Sequence, residues 1–135
     1  MNWFTKAILI FFVALAPVTV ICAGENVNDV KAPSAKKIYK VSDLYREKDA
    51  LDMKKVTVKG KIVKAASGIM NKNWFHVQDG SGDPGNKNND LAITTIQDLP
   101  AVGKVVTVTG TLHKDKDFGY GYRYEVILEE ATIIH

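Results

Sequence analysis

Two near copies of one seven-residue pattern, VTVKGKI from Val56 to Ile62 and VTVTGTL from Val106 to Leu112, constrain this chain more than any other feature. In each, apolar and polar residues alternate, which is the period of a strand with one buried face. A glycine, Gly60 or Gly110, interrupts the alternation, as happens where a strand bends sharply at a barrel corner. With three further runs of β character, strands are expected at Lys55 to Ala65, Asn73 to Gln78, Leu91 to Ile96, Lys104 to His113 and Tyr122 to Ile133. The fold class is all-β, a small closed barrel of five strands.

The first 24 residues stand apart from that barrel. Lys6 precedes an unbroken apolar run from Ala7 to Ala16, and the small residues Ala23 and Gly24 follow. Basic, apolar and small segments in that order are the pattern of a secretory signal peptide. The run stops at Pro17, short of the roughly 20 apolar residues that a spanning helix needs. Export to the periplasm or beyond the cell is expected, with no stable membrane insertion after cleavage. Ile21 precedes Cys22 where the lipid-modification signal of bacterial lipoproteins takes a small residue, so a lipid anchor is not the expectation.

Removing residues 1–24 takes one lysine and no acid from the 18 basic and 15 acidic side chains, leaving a formal charge of only +2. It also removes Cys22, the sole cysteine, so the mature chain has no disulfide, thiolate ligand or thiol nucleophile. About 110 residues remain, enough for one domain with one core. Residues 25–40 are polar and lysine-rich and read as a flexible linker, and residues 41–135 hold the folded domain. Ser42 reads as an N-cap, with Asp43 in the first turn of one short helix to about Asp52 that packs on an end of the barrel.

Five strands with bent first and fourth members, and no room for a helix between Gln97 and Gly103, resemble the compact OB barrel. Three blocks carry a closer resemblance: GIMNKNWFHVQDGSG from Gly68 to Gly82, DLAITT from Asp90 to Thr95, and DFGYGYRYEVILEEA from Asp117 to Ala131. In them the chain is similar to a group of small exported OB-fold proteins labelled nucleic-acid-binding-like and sometimes associated with periplasmic electron-transfer systems. That resemblance implies an OB fold and makes nucleic acid a possible partner. It supplies no ligand by itself.

On the second strand Phe75 and Val77 share one face while Trp74, His76 and Gln78 share the other. Val77 is the natural core residue, which places the second set on the outer wall that OB folds use for ligands. Phe118 and Tyr120 among the glycines near the last hairpin, with Tyr122 and Tyr124 on the next strand, complete an aromatic patch around Trp74, and Lys59, Lys61 and Lys72 add charge. The expected function is a binding module for an extended or anionic, oligonucleotide-like ligand, or for an exported partner protein. The same aromatic residues suit a plainer role, closing the open side of a small barrel.

Two metal readings accompany it. Met70 and His76 offer a thioether and an imidazole, a pair suited to Cu(I), though they are only two ligands. Asp79, Ser81, Asp83 and Asp90 fall at positions 1, 3, 5 and 12 of a calcium-type spacing, with Pro84 where that motif turns on glycine. A solvated hairpin loop explains them as well. No catalytic residues are expected, because no spacing joins His76, His113, the serines and the carboxylates into a triad or an acid and base pair.

Overall fold

The computed structural model describes residues 36–134; the expected signal peptide, the linker through residue 35 and His135 lie outside the described residues. Six strands are present among the described residues: β1 Ile38–Tyr39, β2 Lys55–Ile69, β3 Lys72–Gln78, β4 Leu91–Thr95, β5 Val105–Asp117 and β6 Arg123–Ile134. Two short helices, α1 Val41–Arg46 and α2 Lys48–Leu51, precede β2. The strands follow the order β1-β2-β3-β4-β6-β5, and β5 pairs again with β2. Each of the five long strands therefore has a hydrogen-bonded neighbour on both sides. β1–β2 and β4–β6 are parallel and the other ladders antiparallel.

The two near copies pair with each other. Val58 faces Val108 at the centre, Val56 faces Gly110, and Gly60 faces Val106, so the repeat meets itself head to tail. Thr57 and Thr109, expected on a wet face, are buried, and their hydroxyls bond each other at 2.8 Å. Both glycines are required by a close crossing strand. A Cβ on Gly60 would lie 3.0 Å from the Gln78 carbonyl oxygen of β3, and one on Gly110 would lie 3.1 Å from the Glu129 carbonyl oxygen of β6. Gly60→Ala is expected to lower stability by about 1–3 kcal/mol, read as a reduced urea midpoint at unchanged slope.

The main core cluster is apolar. Val56, Val58, Ile62, Phe75, Val77, Val108, Leu112 and Leu128 fill it, joined by Val41, Leu44 and Leu51 from the two helices. The single helix from Asp43 to Asp52 is corrected to two, divided at Glu47. Its cap is corrected as well: Lys40 takes the N-cap position and offers no side-chain bond. The first N–H groups find distant acceptors instead, Val41 N–H donating to Asp79 Oδ2 at 2.9 Å and Ser42 N–H to Ser81 Oγ at 3.0 Å. Inside the segment expected as linker, Ile38 and Tyr39 pair with Thr57 and Val58 as β1.

These contacts tie the helices to the loop between β3 and β4. Tyr45 Oη donates to the Asp90 carbonyl at 2.6 Å; burial, reinforced by the charges of Asp90 and Glu125, pushes its pKa up to about 12 and keeps that donor protonated. Burial opposes the charged form of Asp79, yet hydrogen bonds from Ser81 and Val41 outweigh it and lower the pKa below 3.8. Burial likewise opposes ionised Asp90, and His76 and Gln78 together outweigh it. A carboxyl whose pKa is lowered by folding stabilises the fold above the unfolded pKa, and that contribution disappears as pH falls through the folded value. Urea midpoints for this pair's contribution should stay level from neutral pH down to about 5 and fall below about 4. Asp79→Asn should flatten part of that fall.

Candidate functional site

The β2–β3 hairpin turns at Met70 and Asn71, both with positive φ (52° and 59°), as a tight two-residue turn requires. Past Ile62 the ladder slips: Ile62 faces Val77, but Lys64 faces His76 and Ala66 faces Trp74, leaving Val63 as an extra residue. That bulge changes the phase of β2 and brings Lys64 and Ala66 onto the wall that carries Trp74 and His76. The Trp74 indole N–H donates to the Ile69 carbonyl at 2.8 Å and holds the hairpin tip against the ring.

The β5–β6 hairpin supplies the other side. Its loop, residues 118–122, is shorter than the expected Lys114 to Gly121 because β5 runs on to Asp117. Phe118 N–H donates to the Tyr122 carbonyl at 2.9 Å and closes the turn. The Phe118 ring meets Trp74 edge-on at 5.3 Å, and Tyr124 tilts against Trp74 at 5.9 Å. With Ala92 and Ile127 these rings form an apolar cluster separate from the interior core. The indole is consequently only 8% exposed, so the open stacking platform expected at Trp74 is corrected to a covered ring. The covering rings, 44 and 50 positions downstream, are what buries it.

Between the hairpins lies a depression of about 420 Å³ lined by Lys64, Ala66, Ile69, Met70, Trp74, His76, Tyr122 and Tyr124. That volume lies within the usual range for small-ligand sites, and its lining is mostly apolar with few polar groups. His76 Nδ1 lies 2.5 Å from Asp90 Oδ1, and Gln78 Nε2 donates to Asp90 Oδ2 at 3.1 Å. An ionised carboxylate only accepts, so the imidazole proton sits on Nδ1 and, in the neutral ring, Nε2 is an acceptor.

The structure thus unites Trp74, His76, Met70, Tyr122 and Tyr124 and adds Lys64, Ala66 and Ile69. Phe118 belongs to the site as a wall behind Trp74. Other candidates lie elsewhere. Lys59 and Lys61 stand farther down β2, opposite Thr107 and Gln78, and do not line the depression. Tyr120, at 98% exposure, projects from the loop tip away from it. Lys72 turns to Glu129, whose buried carboxylate also has Lys116 at 3.3 Å and His113 at 3.6 Å, so much of that positive charge is offset. Gln78 does not line the depression and donates to Asp90 beside it.

The calcium-type spacing does not converge on a point. Asp79 accepts from Val41 and Ser81, Asp83 caps the 3-10 turn Pro84–Asn86 through Gly85 N–H, and Asp90 holds His76. Among the described residues no group of three or more His, Cys, Asp or Glu is placed to hold a metal ion. No helix among them is long and apolar enough to cross a membrane.

No family model matches the chain, and no curated protein matches it. Among solved structures, a provisionally assigned aspartyl-tRNA synthetase from Leishmania major Friedlin is similar over 74% of this chain, at 14% identity and a TM-score of 0.54. The aligned part is 21% of that protein, so this chain spans about a fifth of its length, and the likeness is one of fold alone. A provisionally assigned nucleic acid-binding lipoprotein from Klebsiella pneumoniae aligns over 78% of this chain and 97% of its own, at 21% identity and a TM-score of 0.46.

Proposed function

We propose that this chain is an exported, non-enzymatic OB-type module that binds a ring-bearing, extended or anionic ligand such as a single-stranded oligonucleotide. The strand cycle β2-β3-β4-β6-β5-β2 is the five-stranded Greek-key order in which the faces of the second and third strands, with the first and fourth loops between strands, take ligands. Counted that way, those loops are the β2–β3 and β5–β6 turns. The observation that carries the reading is the mostly apolar depression between them, lined by the Trp74 indole together with one lysine and one histidine.

Stacking of a base against an aromatic side chain contributes on the order of 1–3 kcal/mol; with Trp74 covered, the exposed Tyr122 is the ring open to it, and Lys64 supplies a nearby positive charge for a backbone phosphate. The small net charge suits modest, salt-dependent affinity. The test is a fluorescence titration of the full chain carrying Trp3→Phe, which leaves Trp74 as its only indole. A saturable change with a single-stranded oligonucleotide, weakened by Lys64→Ala, is the expected result, and a flat response would remove this ligand class.

A soft-metal reading has one observation in its favour: Met70 and His76 line the same depression, and His76 is held from behind by a carboxylate, as metal-bound histidines commonly are. The same titration with Cu(I) tests it, a stoichiometric quench lost in Met70→Leu being the positive result.

A further inference from the structure

Resting on the binding reading above, we infer that His76 is a specificity-determining acceptor that selects ring ligands presenting an N–H donor at their edge, with Asp90 as its positioning residue. Asp90 is fixed at three points: Oδ1 by His76 at 2.5 Å, Oδ2 by Gln78 at 3.1 Å, and its main-chain carbonyl by Tyr45 at 2.6 Å. The neutral imidazole therefore has one orientation and one tautomer, with Nε2 as its acceptor. Its Nε2 has no hydrogen-bond partner among the described residues, although the side chain lines the depression.

The surroundings of that acceptor give it discriminating power. The Trp74 indole N–H is already bonded to Ile69, and Ala66, Ile69 and Met70 offer no polar side-chain hydrogen, which leaves the Tyr122 and Tyr124 hydroxyls and Lys64 as the other polar side-chain groups of the lining. A ring entering edge-on past Trp74 displaces the water that Nε2 would otherwise hold. A ring with an N–H donor replaces that bond, whereas a ring with a methyl group or a lone pair there leaves a desolvated acceptor unmatched. Lys64, the cross-strand neighbour of His76, is a donor only and favours an acceptor or an anionic group beside the N–H. The ligand class is a planar heterocycle with an imide-like edge, a donor flanked by acceptors.

The experiment uses the full chain with Trp3→Phe and two probes, an oligothymidylate and the same oligomer methylated at N3 of every thymine. The unmethylated probe is expected to bind about tenfold more tightly, the worth of one matched hydrogen bond in a partly desolvated site. Asp90→Asn lets an amide N–H donate to Nδ1, moves the imidazole proton to Nε2 and turns the acceptor into a donor, so the preference should disappear or reverse. His76→Phe keeps a ring in place without an acceptor and should also abolish it, which provides a second readout if Asp90→Asn fails to fold. Equal wild-type affinities for the two probes would leave the binding reading standing and overturn this inference. So would a tenfold preference that survives in both variants. If neither probe changes the Trp74 signal, the binding reading and the inference fall together.

Discussion

Phe75→Ala is expected to lower stability by about 3–5 kcal/mol, the largest loss from any single truncation in this chain. Phe75 is fully buried and among the largest side chains so placed. It sits between Ala65 of β2 and Ile93 of β4 in the middle of the sheet, where ladders on both sides fix the backbone and leave little room for collapse onto the cavity. Because typical domains hold only about 5–15 kcal/mol in reserve, the variant should be partly unfolded near 37 °C. Circular dichroism through a urea titration gives the number. Refolded in the cold, the variant should keep its affinity for ligand, since the side chain contributes nothing to the outer wall.

Trp74→Ala, one residue away on the opposite face, should cost about 3 kcal/mol and abolish ligand binding as well. The indole is the hub of the second cluster: it packs Phe118 at 5.3 Å and Tyr124 at 5.9 Å, and its N–H holds the Ile69 carbonyl. Removing it releases both hairpin tips, and each aromatic pair lost adds about 0.5–1.5 kcal/mol to the area term. The loss falls at the low end for tryptophan because the cluster lies against solvent and can close over the gap. Trp74→Phe should recover about half the stability while leaving the Ile69 carbonyl without its donor. A cost below about 1 kcal/mol for Trp74→Ala would contradict the covered position of the ring.

The contrast between these neighbours was legible in the sequence, because a period of two puts Phe75 with Val77 and Trp74 with His76 whatever the rest of the chain does. The repeat was legible too, and with it the need for Gly60 and Gly110. What alternation could not reveal was any event that depends on a distant partner. The extra residue at Val63, which turns Lys64 toward His76, is visible only in the register against β3. Ser42 has the composition of an N-cap, yet the α1 N–H groups are met by Asp79 and Ser81, nearly 40 positions on. Ile38–Tyr39 is too short a strand to show a period, and it exists because the edge of β2 is available to it.

The candidate site residues divide along the same line. Trp74, His76, Met70 and Tyr122 were singled out by aromatic, imidazole and thioether chemistry, and the structure gathers them around one depression. The lysines chosen for charge alone were scattered: Lys72 answers a buried carboxylate, and Lys59 and Lys61 lie down the strand. Asp90 stood out as a calcium-type ligand, but its carboxylate is directed at the His76 imidazole 2.5 Å away. Burial of Glu129 among Lys72, Lys116 and His113 had no local signal, since its partners lie on β3 and β5.

Backbone amide and indole shift mapping by NMR, with a single-stranded oligonucleotide added to the labelled full chain, tests the central claim most directly. The account predicts that the perturbed signals cluster at Lys64, Met70, His76, Tyr122 and the Trp74 indole, around the depression between the two hairpins. Perturbations gathered on the β2–β5 wall around Lys59 and Thr107, with the Trp74 indole unmoved, would contradict it.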